Sequence, residues 1–261
     1  MLEAGATLPV AVARKLARLV ARRAAGLPLQ HLEETVAFRD LVLRADDRAL
    51  IPRPETEQLV DLVTRELRGR PRGSEVHPVA RPDSVESVAV ALDIGTGSGA
   101  IALSLVAEGL ARRVVALDVS EDALAQAREN RELTGIEAGR VELRLTGSDP
   151  FEALAADERF DLLVSNPPYV RDAEIEGLPV EVRDHEPRVA LAGGADGLDL
   201  VRTIAARGPE VLRPGGRLFL EIGVDQGPAA AALFEAVGGW EAVERHADLS
   251  GRDRFLAARR R

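Results

Sequence analysis

Two consecutive prolines follow a short apolar run and hold polar atoms where a planar amino group could bind. The run at residues 160–164 predicts a buried strand, and Asn166, Pro167, Pro168 and Tyr169 follow it. Prolines fix φ and keep the residue before them extended. We therefore expect the Asn166 side chain and the neighbouring carbonyl groups to be held at the carboxyl end of this strand.

This arrangement suits chemistry on an sp² nitrogen, as in a carboxamide or the exocyclic amine of adenine. Such a nitrogen is a poor nucleophile because its lone pair is conjugated. Two acceptors, Asn166 Oδ1 and the Pro167 carbonyl, would orient its hydrogens and favour a pyramidal nitrogen, mainly in the transition state. We predict catalytic roles for Asn166, Pro167 and Tyr169, and substrate binding by these residues and Pro168. A simple chain reversal is the alternative, since Asn-Pro and Pro-Pro are common turn formers.

A second candidate site begins where the apolar run at residues 88–94 enters a turn that opens a helix. The turn contains Gly95, Gly97 and Gly99, and glycine lets a ligand approach the backbone closely. The next predicted strand ends in Asp118, roughly 20 residues after the glycines, where an acid binds ribose hydroxyls in nucleotide-binding βαβ units. Together these features predict an adenosine-containing cofactor.

The glycine spacing favours S-adenosylmethionine over a dinucleotide. Dinucleotide sites prefer G-x-G-x-x-G, where the helix start meets a pyrophosphate. Here the order is G-x-G-x-G, and Asp93 before it would repel a pyrophosphate but could accept a hydrogen bond from the ammonium of a methionine tail. A nicotinamide-dependent dehydrogenase is therefore the weaker alternative. The predicted cofactor-binding residues in and around this segment are Asp93, Gly95, Thr96, Gly97, Ser98, Gly99, Asp118 and Asn166.

Alternating strand and helix patterns predict the elements that position these residues. Strands are expected at residues 88–94, 113–118, 141–146, 160–165, 217–222, 240–246 and 254–258, and helices at 99–108, 121–133, 198–207 and 226–237. This predicts an α/β fold with a doubly wound, Rossmann-like, mainly parallel sheet of seven strands. Ligands bind at the carboxyl edge of such sheets. The glycine turn, Asp118, Asp149 and Asn166 should therefore converge on one crevice, with residues 170–194 as a loop or lid beside it.

Size, composition and charge limit the class of protein. At 261 residues with 46% hydrophobic residues, the chain can bury one α/β core and a small appendage. It has no cysteine, which excludes disulfides and thiolate metal sites, and we assign no metal-binding residue. No export signal or membrane-length apolar run is present, so we expect a cytoplasmic protein without membrane contact. The net charge of -9 argues against an extended nucleic-acid surface.

The chain resembles the HemK-type protein-(glutamine-N5) methyltransferases, which are class I S-adenosylmethionine-dependent enzymes that modify peptide-chain release factors. The stretches that carry the resemblance are residues 51–57, 92–99, 165–169, 184–191, 194–198 and 248–254. The resemblance implies that residues 95–99 hold the methionine part of the cofactor and that Asp149 and Phe151 lie by its adenine. It also implies that residues 166–169 take a glutamine from the Gly-Gly-Gln loop of a release factor, giving N5-methylglutamine.

The N-terminal part and residue 150 depart from the family pattern. Helical patterns at residues 10–23 and 54–67 flank a predicted hairpin at 35–38 and 41–43. We expect a shortened substrate-recognition segment at 1–67, a flexible linker at 68–87 and the methyltransferase domain at 88–261. Pro150 stands where relatives often have a bulkier residue beside the cofactor base, which predicts looser adenine packing.

The sequence leaves open the roles of two further residues and two alternative functions of the chain. Arg53 and Glu55 are assigned to substrate binding, with an ion pair that docks the N-terminal segment as the favoured role. His185 is expected to be a surface group rather than a base. An adenine-N6 methyltransferase on DNA or RNA would use the same Asn-Pro-Pro-Tyr segment. A non-catalytic, cofactor-binding partner protein is the other alternative.

Overall fold

The computed structural model of the chain describes residues 8–68 and 87–261, and its first elements form a small N-terminal layer. This layer contains helix α1 (Val10–Ala24), helix α2 (Leu29–Glu33), a hairpin of β1 (Thr35–Phe38) and β2 (Leu41–Arg44), and helix α3 (Pro54–Arg68). Pro54 opens α3, where its missing N–H costs no hydrogen bond, and Glu55 and Glu57 lie in the first turn beside the positive end of the helix dipole. The predicted linker at 68–87 lies outside the described residues except for its two end residues.

Strands and helices then alternate as the sequence predicts. The remaining elements are β3 (Val88–Ile94), α4 (Ala100–Ala107), β4 (Ala111–Asp118), α5 (Glu121–Leu133), β5 (Val141–Leu145), β6 (Phe160–Ser165), α6 (Val180–Arg183), α7 (Asp199–Val211), β7 (Leu212–Glu221), α8 (Gly227–Val237), β8 (Trp240–Ala247) and β9 (Asp253–Arg260). Short 3-10 helices lie at Pro150–Ala153, Asp172–Gly177 and Arg188–Ala190.

The main sheet has seven strands in the order β5-β4-β3-β6-β7-β9-β8. The first five strands in this order pair in parallel, whereas β9 pairs antiparallel with both β7 and β8. The chain therefore winds outward in both directions from β3. The predicted α/β fold with a mainly parallel seven-stranded sheet, an N-terminal helix and a hairpin is confirmed.

Two apolar layers cover the faces of the sheet. One layer joins α3 and α4 to the sheet and includes Leu59, Val63 and Leu103. The other joins α7 and α8 to it and includes Ile204 and Phe234. The central strands carry buried residues on both faces, as in β3, where Leu92 belongs to the second layer and Ala91 to the first. Burial on both faces is typical of parallel sheets covered by helices.

The register of the three central strands aligns their carboxyl ends. Ile94 of β3 pairs with Leu117 of β4 on one side and with Ser165 of β6 on the other. The Ser165 hydroxyl also donates a hydrogen bond to the Ile94 carbonyl at 2.6 Å. The segments that leave these strands consequently start at the same level of the sheet.

Helix α7 continues beyond residue 207, where the sequence pattern predicts its end. It runs to Val211 with Pro209 inside it. Proline has no N–H for the carbonyl four residues earlier, which here belongs to Ala205. The Trp240 indole N–H donates to that carbonyl at 2.8 Å instead, so the freed acceptor is satisfied from β8. Trp240 is buried in the core.

Residues 170–194 also contain more regular structure than the predicted polar loop, including α6 and two of the 3-10 helices. None of the helices in the described part of the chain combines the length and hydropathy that a bilayer-spanning segment needs.

Replacing Gly208 by alanine should lower the free energy of unfolding. A Cβ at this position would lie 2.7 Å from Trp240 Cζ2. The indole ring, which donates a hydrogen bond to the Ala205 carbonyl, would therefore have to move. Overpacking of this kind costs about 1–3 kcal/mol, which exceeds the gain of ~1 kcal/mol from alanine in a helix. Urea unfolding measures the difference. Gly139→Ala is the control, because no described residue other than its chain neighbours has an atom within 4 Å of a Cβ there. An equal loss of stability in both variants would contradict the steric explanation.

Candidate active site

The turn after β3 contains three glycines in the left-handed region, where other residues are strained. Gly95, Gly97 and Gly99 have φ values of +71°, +56° and +84°. The Gly95 and Thr96 N–H groups donate to the Leu117 carbonyl at 2.8 and 2.9 Å, which ties the turn to β4. Space remains above Gly97, since no described residue other than its chain neighbours has an atom within 4 Å of a Cβ placed there. The local sequence thus builds a backbone cradle with room for a ligand.

Asp118 at the end of β4 closes this cradle. Its Oδ2 accepts a hydrogen bond from the Gly97 N–H at 2.7 Å, and its Oδ1 accepts one from the Ser120 N–H at 2.9 Å. Burial raises its pKa, while these backbone hydrogen bonds lower it. A carboxylate oxygen has lone pairs beyond those used here, so Asp118 can also accept from a ligand hydroxyl.

Asp93 lies beneath the turn and is fully buried. Thr96 Oγ1 donates to Asp93 Oδ2 at 2.7 Å, whereas no described residue donates to Asp93 Oδ1. Burial raises the pKa of Asp93 to about 7, and the nearby charge of Asp118 acts in the same direction. An unpartnered buried oxygen next to an open cradle is an acceptor available for a donor on a ligand or a water.

Asn166 leaves β6 on the same edge of the sheet and is held by α3. Its Nδ2 donates to Thr56 Oγ1 at 3.0 Å, and the Thr56 hydroxyl donates to Glu221 Oε2 at 2.8 Å. With Nδ2 directed to Thr56, the Asn166 Oδ1 is available as an acceptor. The neighbouring Pro167 carbonyl oxygen accepts no hydrogen bond from the described residues.

Tyr169 lies behind this segment. Its hydroxyl is 3.5 Å from Glu221 Oε1, and the Arg254 guanidinium carbon lies 5.8 Å from its ring centroid. Burial raises the pKa of Tyr169 to about 12, with the Glu221 charge acting in the same direction, so the phenol stays protonated. The Tyr169 hydroxyl is therefore directed to Glu221 of the protein itself.

One cavity of about 410 Å³ connects the cradle with Asn166. The glycine turn, Asp118 and Asn166 all line it, which places them around one space of the size typical for a small-molecule site. Residues from the N-terminal layer, the edge of the sheet, the segment at 187–193 and the start of α7 complete its wall; among them are Leu50, Pro52, Thr56, Val119, Ser148, Pro150, Pro168, Pro187, Val189, Leu200 and Thr203.

Asp149 and Phe151 belong to the supporting layer beside this cavity. Asp149 Oδ1 accepts from the Phe151 N–H at 3.0 Å, and Oδ2 pairs with Arg207. The Arg207 guanidinium also lies 5.4 Å from the Phe151 ring centroid. Asp149 and Phe151 are not among the described residues that line the cavity, whereas the adjacent Ser148 and Pro150 are.

An ion pair with a buried carboxylate lies next to the lining residues Pro52 and Pro187. Arg53 donates to Glu186 Oε2 at 2.6 Å, and the Ile51 N–H donates to Glu186 Oε1 at 3.3 Å. Burial raises the pKa of Glu186, and Arg53 opposes this shift. Among the described residues Arg53 therefore pairs with Glu186 and not with Glu55. The pair joins the N-terminal layer to the segment that follows α6.

The sequence does not identify Thr56 or the start of α7 as parts of the site, whereas the lining residues at 187–193 lie within the loop predicted beside the crevice. Thr56 precedes Asn166 by 110 residues, and only the packing of α3 against the end of β7 brings them together. The one local indication in the sequence is that Thr56 lies two residues after Pro54, in the first turn of α3. His185 is not among the described residues that line the cavity.

Comparisons with known proteins indicate the family of the chain. The family described as "Methyltransferase small domain" matches residues 83–180. The release factor glutamine methyltransferase of Moorella thermoacetica is 44% identical over 254 residues, which cover 97% of this chain and 82% of that protein. The protein of the same name from Cereibacter sphaeroides is 42% identical over 252 residues, covering 97% of this chain and 81% of that protein.

Solved structures share the fold at lower identity. A 16S rRNA methyltransferase of T. thermophilus, solved in complex with AdoMet and guanosine, has a TM-score of 0.56 at 20% identity and covers 87% of this chain and 50% of that chain. The human methyltransferase 10 domain containing protein has a TM-score of 0.53 at 17% identity, covering 94% of this chain and 99% of that chain. These likenesses extend to the fold alone.

Replacing Arg53 by methionine should destabilise the protein, because it leaves the Glu186 carboxylate buried without its cation. The Glu186 side chain is 1% exposed and that of Arg53 is 31% exposed, so the cost should be about 1–3 kcal/mol, below that of a fully buried pair. Urea unfolding at neutral pH measures it. Arg183→Met is the matched control, because Arg183 pairs with Asp184 on the surface nearby and its loss should leave stability nearly unchanged. Equal stability of the two variants would contradict the role assigned to the buried pair.

Proposed function

This chain belongs to the family of release factor glutamine methyltransferases, and we propose that it transfers a methyl group from S-adenosylmethionine to the side-chain amide nitrogen (N5) of a glutamine in a peptide-chain release factor. One observation carries the proposal: the glycine cradle with Asp118 and the acceptor-bearing Asn166 line the same cavity. A cofactor and a planar amide can therefore meet in it.

The residues around the cradle fit S-adenosylmethionine. The space above Gly97 allows the backbone to be approached closely, and Asp118 presents carboxylate oxygens suited to ribose hydroxyls. Asp93 lies beneath the cradle and is not one of the described residues that line the cavity, so its buried Oδ1 fits a cationic donor through water. Ser148 and Pro150 supply the wall where the adenine would lie. When bound, this cofactor supplies a methyl group on a positively charged sulfur.

Asn166 and Pro167 act on the target amide. The Asn166 Oδ1 and the Pro167 carbonyl each accept one N–H of the glutamine side chain, which fixes the direction of the nitrogen lone pair. Acceptors out of the amide plane favour a pyramidal nitrogen and so stabilise the transition state more than the ground state. Tyr169 and Pro168 support the position of this segment and the amide it holds.

The reaction balances without a strong base. The amide nitrogen forms a bond to the methyl carbon while the bond from that carbon to sulfur breaks, and its electron pair stays on sulfur. The nitrogen then loses one proton to water, which is easy because the methylated nitrogen is strongly acidic until it does so. Catalysis by this chain consists of orienting the amide and excluding bulk water from it.

A protein substrate is also consistent with the charge of the chain. The net charge of -9 disfavours the phosphate contacts that nucleic-acid substrates require. We propose a release factor as partner and the cytoplasm as the place of action, since release factors act at the ribosome.

The direct test is mass spectrometry of a bacterial release factor after incubation with this protein and S-adenosylmethionine. We expect a mass gain of one methyl on the glutamine of the Gly-Gly-Gln loop, and none when that glutamine is replaced by alanine. Asn166→Ala should lower kcat by roughly 100- to 1000-fold, the usual effect of losing one such transition-state contact, while calorimetry shows unchanged cofactor affinity. Labelled methyl transfer to DNA or RNA instead of the release factor would refute the proposal.

Replacing Gly97 by alanine should weaken S-adenosylmethionine binding at least about tenfold, because a methyl group would fill space at the cradle that the ligand needs. Gly109→Ala is the matched control. Its φ is +69°, and a Cβ there likewise has no atom of the described residues beyond its chain neighbours within 4 Å, but Gly109 does not line the cavity. Both variants share a backbone strain of about 1 kcal/mol, visible in urea unfolding. Only Gly97→Ala should lose affinity in calorimetry, and an equal loss in both would contradict the placement of the cofactor.

A further inference from the structure

The side chain of Asn166 is linked to two side chains behind it, and together they form a continuous hydrogen-bonded triad, which we define as Asn166, Thr56 and Glu221. Asn166 Nδ2 lies 3.0 Å from Thr56 Oγ1, and Thr56 Oγ1 lies 2.8 Å from Glu221 Oε2. Thr56 and Glu221 are 5% and 1% exposed, so water does not compete for these bonds. The three members come from the start of α3, the end of β6 and the end of β7, and the packing of the core fixes their separation.

The chemistry of the three groups fixes the direction of both hydrogen bonds. An ionised carboxylate can only accept, so the single hydroxyl proton of Thr56 goes to Glu221. The Thr56 oxygen then has only lone pairs left for Asn166, and it accepts from the amide NH₂. The Asn166 amide consequently cannot turn over without losing its bond to Thr56.

We infer that Thr56 and Glu221 are positioning residues for methyl transfer: the ionised Glu221 carboxylate orients the Thr56 hydroxyl, which holds the Asn166 amide with its Oδ1 available to the substrate nitrogen. This inference rests on the proposed function for its catalytic consequence. Neither residue needs to touch the substrate amide for this role. If the Asn166 amide were turned over, its NH₂ would face the N–H groups of the target and repel them.

Protonation of Glu221 would remove this control. A protonated Glu221 can donate to Thr56 Oγ1, which frees the threonine proton for Asn166 Oδ1 and stabilises the turned amide. Burial raises the pKa of Glu221 to about 7. The bond from Thr56 and the charge of Arg254 on β9 lower it, Glu55 on α3 raises it, and the hydrogen bond from Tyr169 lowers it. The orienting form is therefore present above about pH 7 and is lost as the pH falls below it.

The kinetic test compares variants of the two positioning residues. Thr56→Val keeps the shape of the side chain but removes the hydroxyl, and it should lower kcat about tenfold, the value of one hydrogen bond, with unchanged KM for the release factor. Thr56→Ser should restore kcat. Thr64→Val is the matched control, since the Thr64 hydroxyl on the same helix bonds only the Val60 carbonyl. A kcat for Thr56→Val equal to that of wild type, or a Thr56→Ser variant as slow as Thr56→Val, would overturn the inference.

The pH profile separates Glu221 from other titrating groups. Wild-type kcat should fall as the pH decreases from about 8 to about 6, and Glu221→Gln should abolish this fall because its side chain does not titrate. A fall that persists unchanged in Glu221→Gln would overturn the role of Glu221 and assign the titration to another group, such as Asp93.

A spectroscopic measurement on the free protein tests the triad without methyl transfer. The Asn166 side-chain NH₂ resonances, identified by their loss in Asn166→Ala, should shift with pH near 7 in wild type and stay constant in Glu221→Gln. Resonances that do not shift, or that shift equally in both, would overturn the inference. Absence of methyl transfer by the wild type at every pH would instead refute the proposed function, and the resonances would still decide on the triad.

Discussion

The alignment of three parallel strand ends is the constraint on which the site depends. Because Ile94 pairs with both Leu117 and Ser165, the glycine turn, Asp118 and Asn166 leave the sheet at one level. A register shift of one residue in β6 would turn Ser165 away from the Ile94 carbonyl and move Asn166 by more than 3 Å, roughly the rise of a strand per residue. The buried apolar faces of these strands oppose such a shift. The hydrophobic core thus sets the distance between the glycine turn and Asn166.

The sequence predicts the parts of the site that are local in the chain. The glycine turn, Asp118 and the Asn-Pro-Pro-Tyr segment each follow directly from a strand, and the rule that such ends share an edge brings them together. The contacts of Thr56 with Asn166 and of Arg53 with Glu186 join residues 110 and 133 positions apart. No periodicity or turn chemistry encodes such partners, because they depend on how α3 and the segment after α6 pack on a finished sheet. The same reason explains why the sequence does not predict that α7 continues through Pro209. The Ala205 carbonyl, which Pro209 leaves without a donor, accepts a hydrogen bond from Trp240 on β8.

Two buried carboxyl groups support the site at a cost in stability. Burial raises the pKa values of Asp93 and Glu221 to about 7. A raised pKa in the folded state means that the contribution of the group to stability is fully present below its unfolded pKa and is lost as the pH rises through about 7. At higher pH each ionised group is held in the interior by a hydroxyl donor, Thr96 or Thr56. Apolar residues at these two positions would give a more stable protein. We explain the presence of carboxylates there by the hydroxyl groups of Thr96 and Thr56 that they orient.

Selection of the substrate has to come from outside the acceptor pair. Under the proposed function, the Asn166 Oδ1 and the Pro167 carbonyl would offer the same two acceptors to a glutamine amide and to an adenine amine, so they would select a planar NH₂ group rather than its carrier. A base would have to leave a duplex and find a stacking surface, and it would bring phosphates toward a chain of net charge -9. A glutamine on a protein loop does not have to leave a duplex, needs no stacking surface and carries no phosphates. Pro52 and Pro187 line the cavity next to the Arg53 to Glu186 pair. Under the proposed function, contacts of this region with the bulk of a partner would distinguish the two carriers, because the acceptors themselves do not.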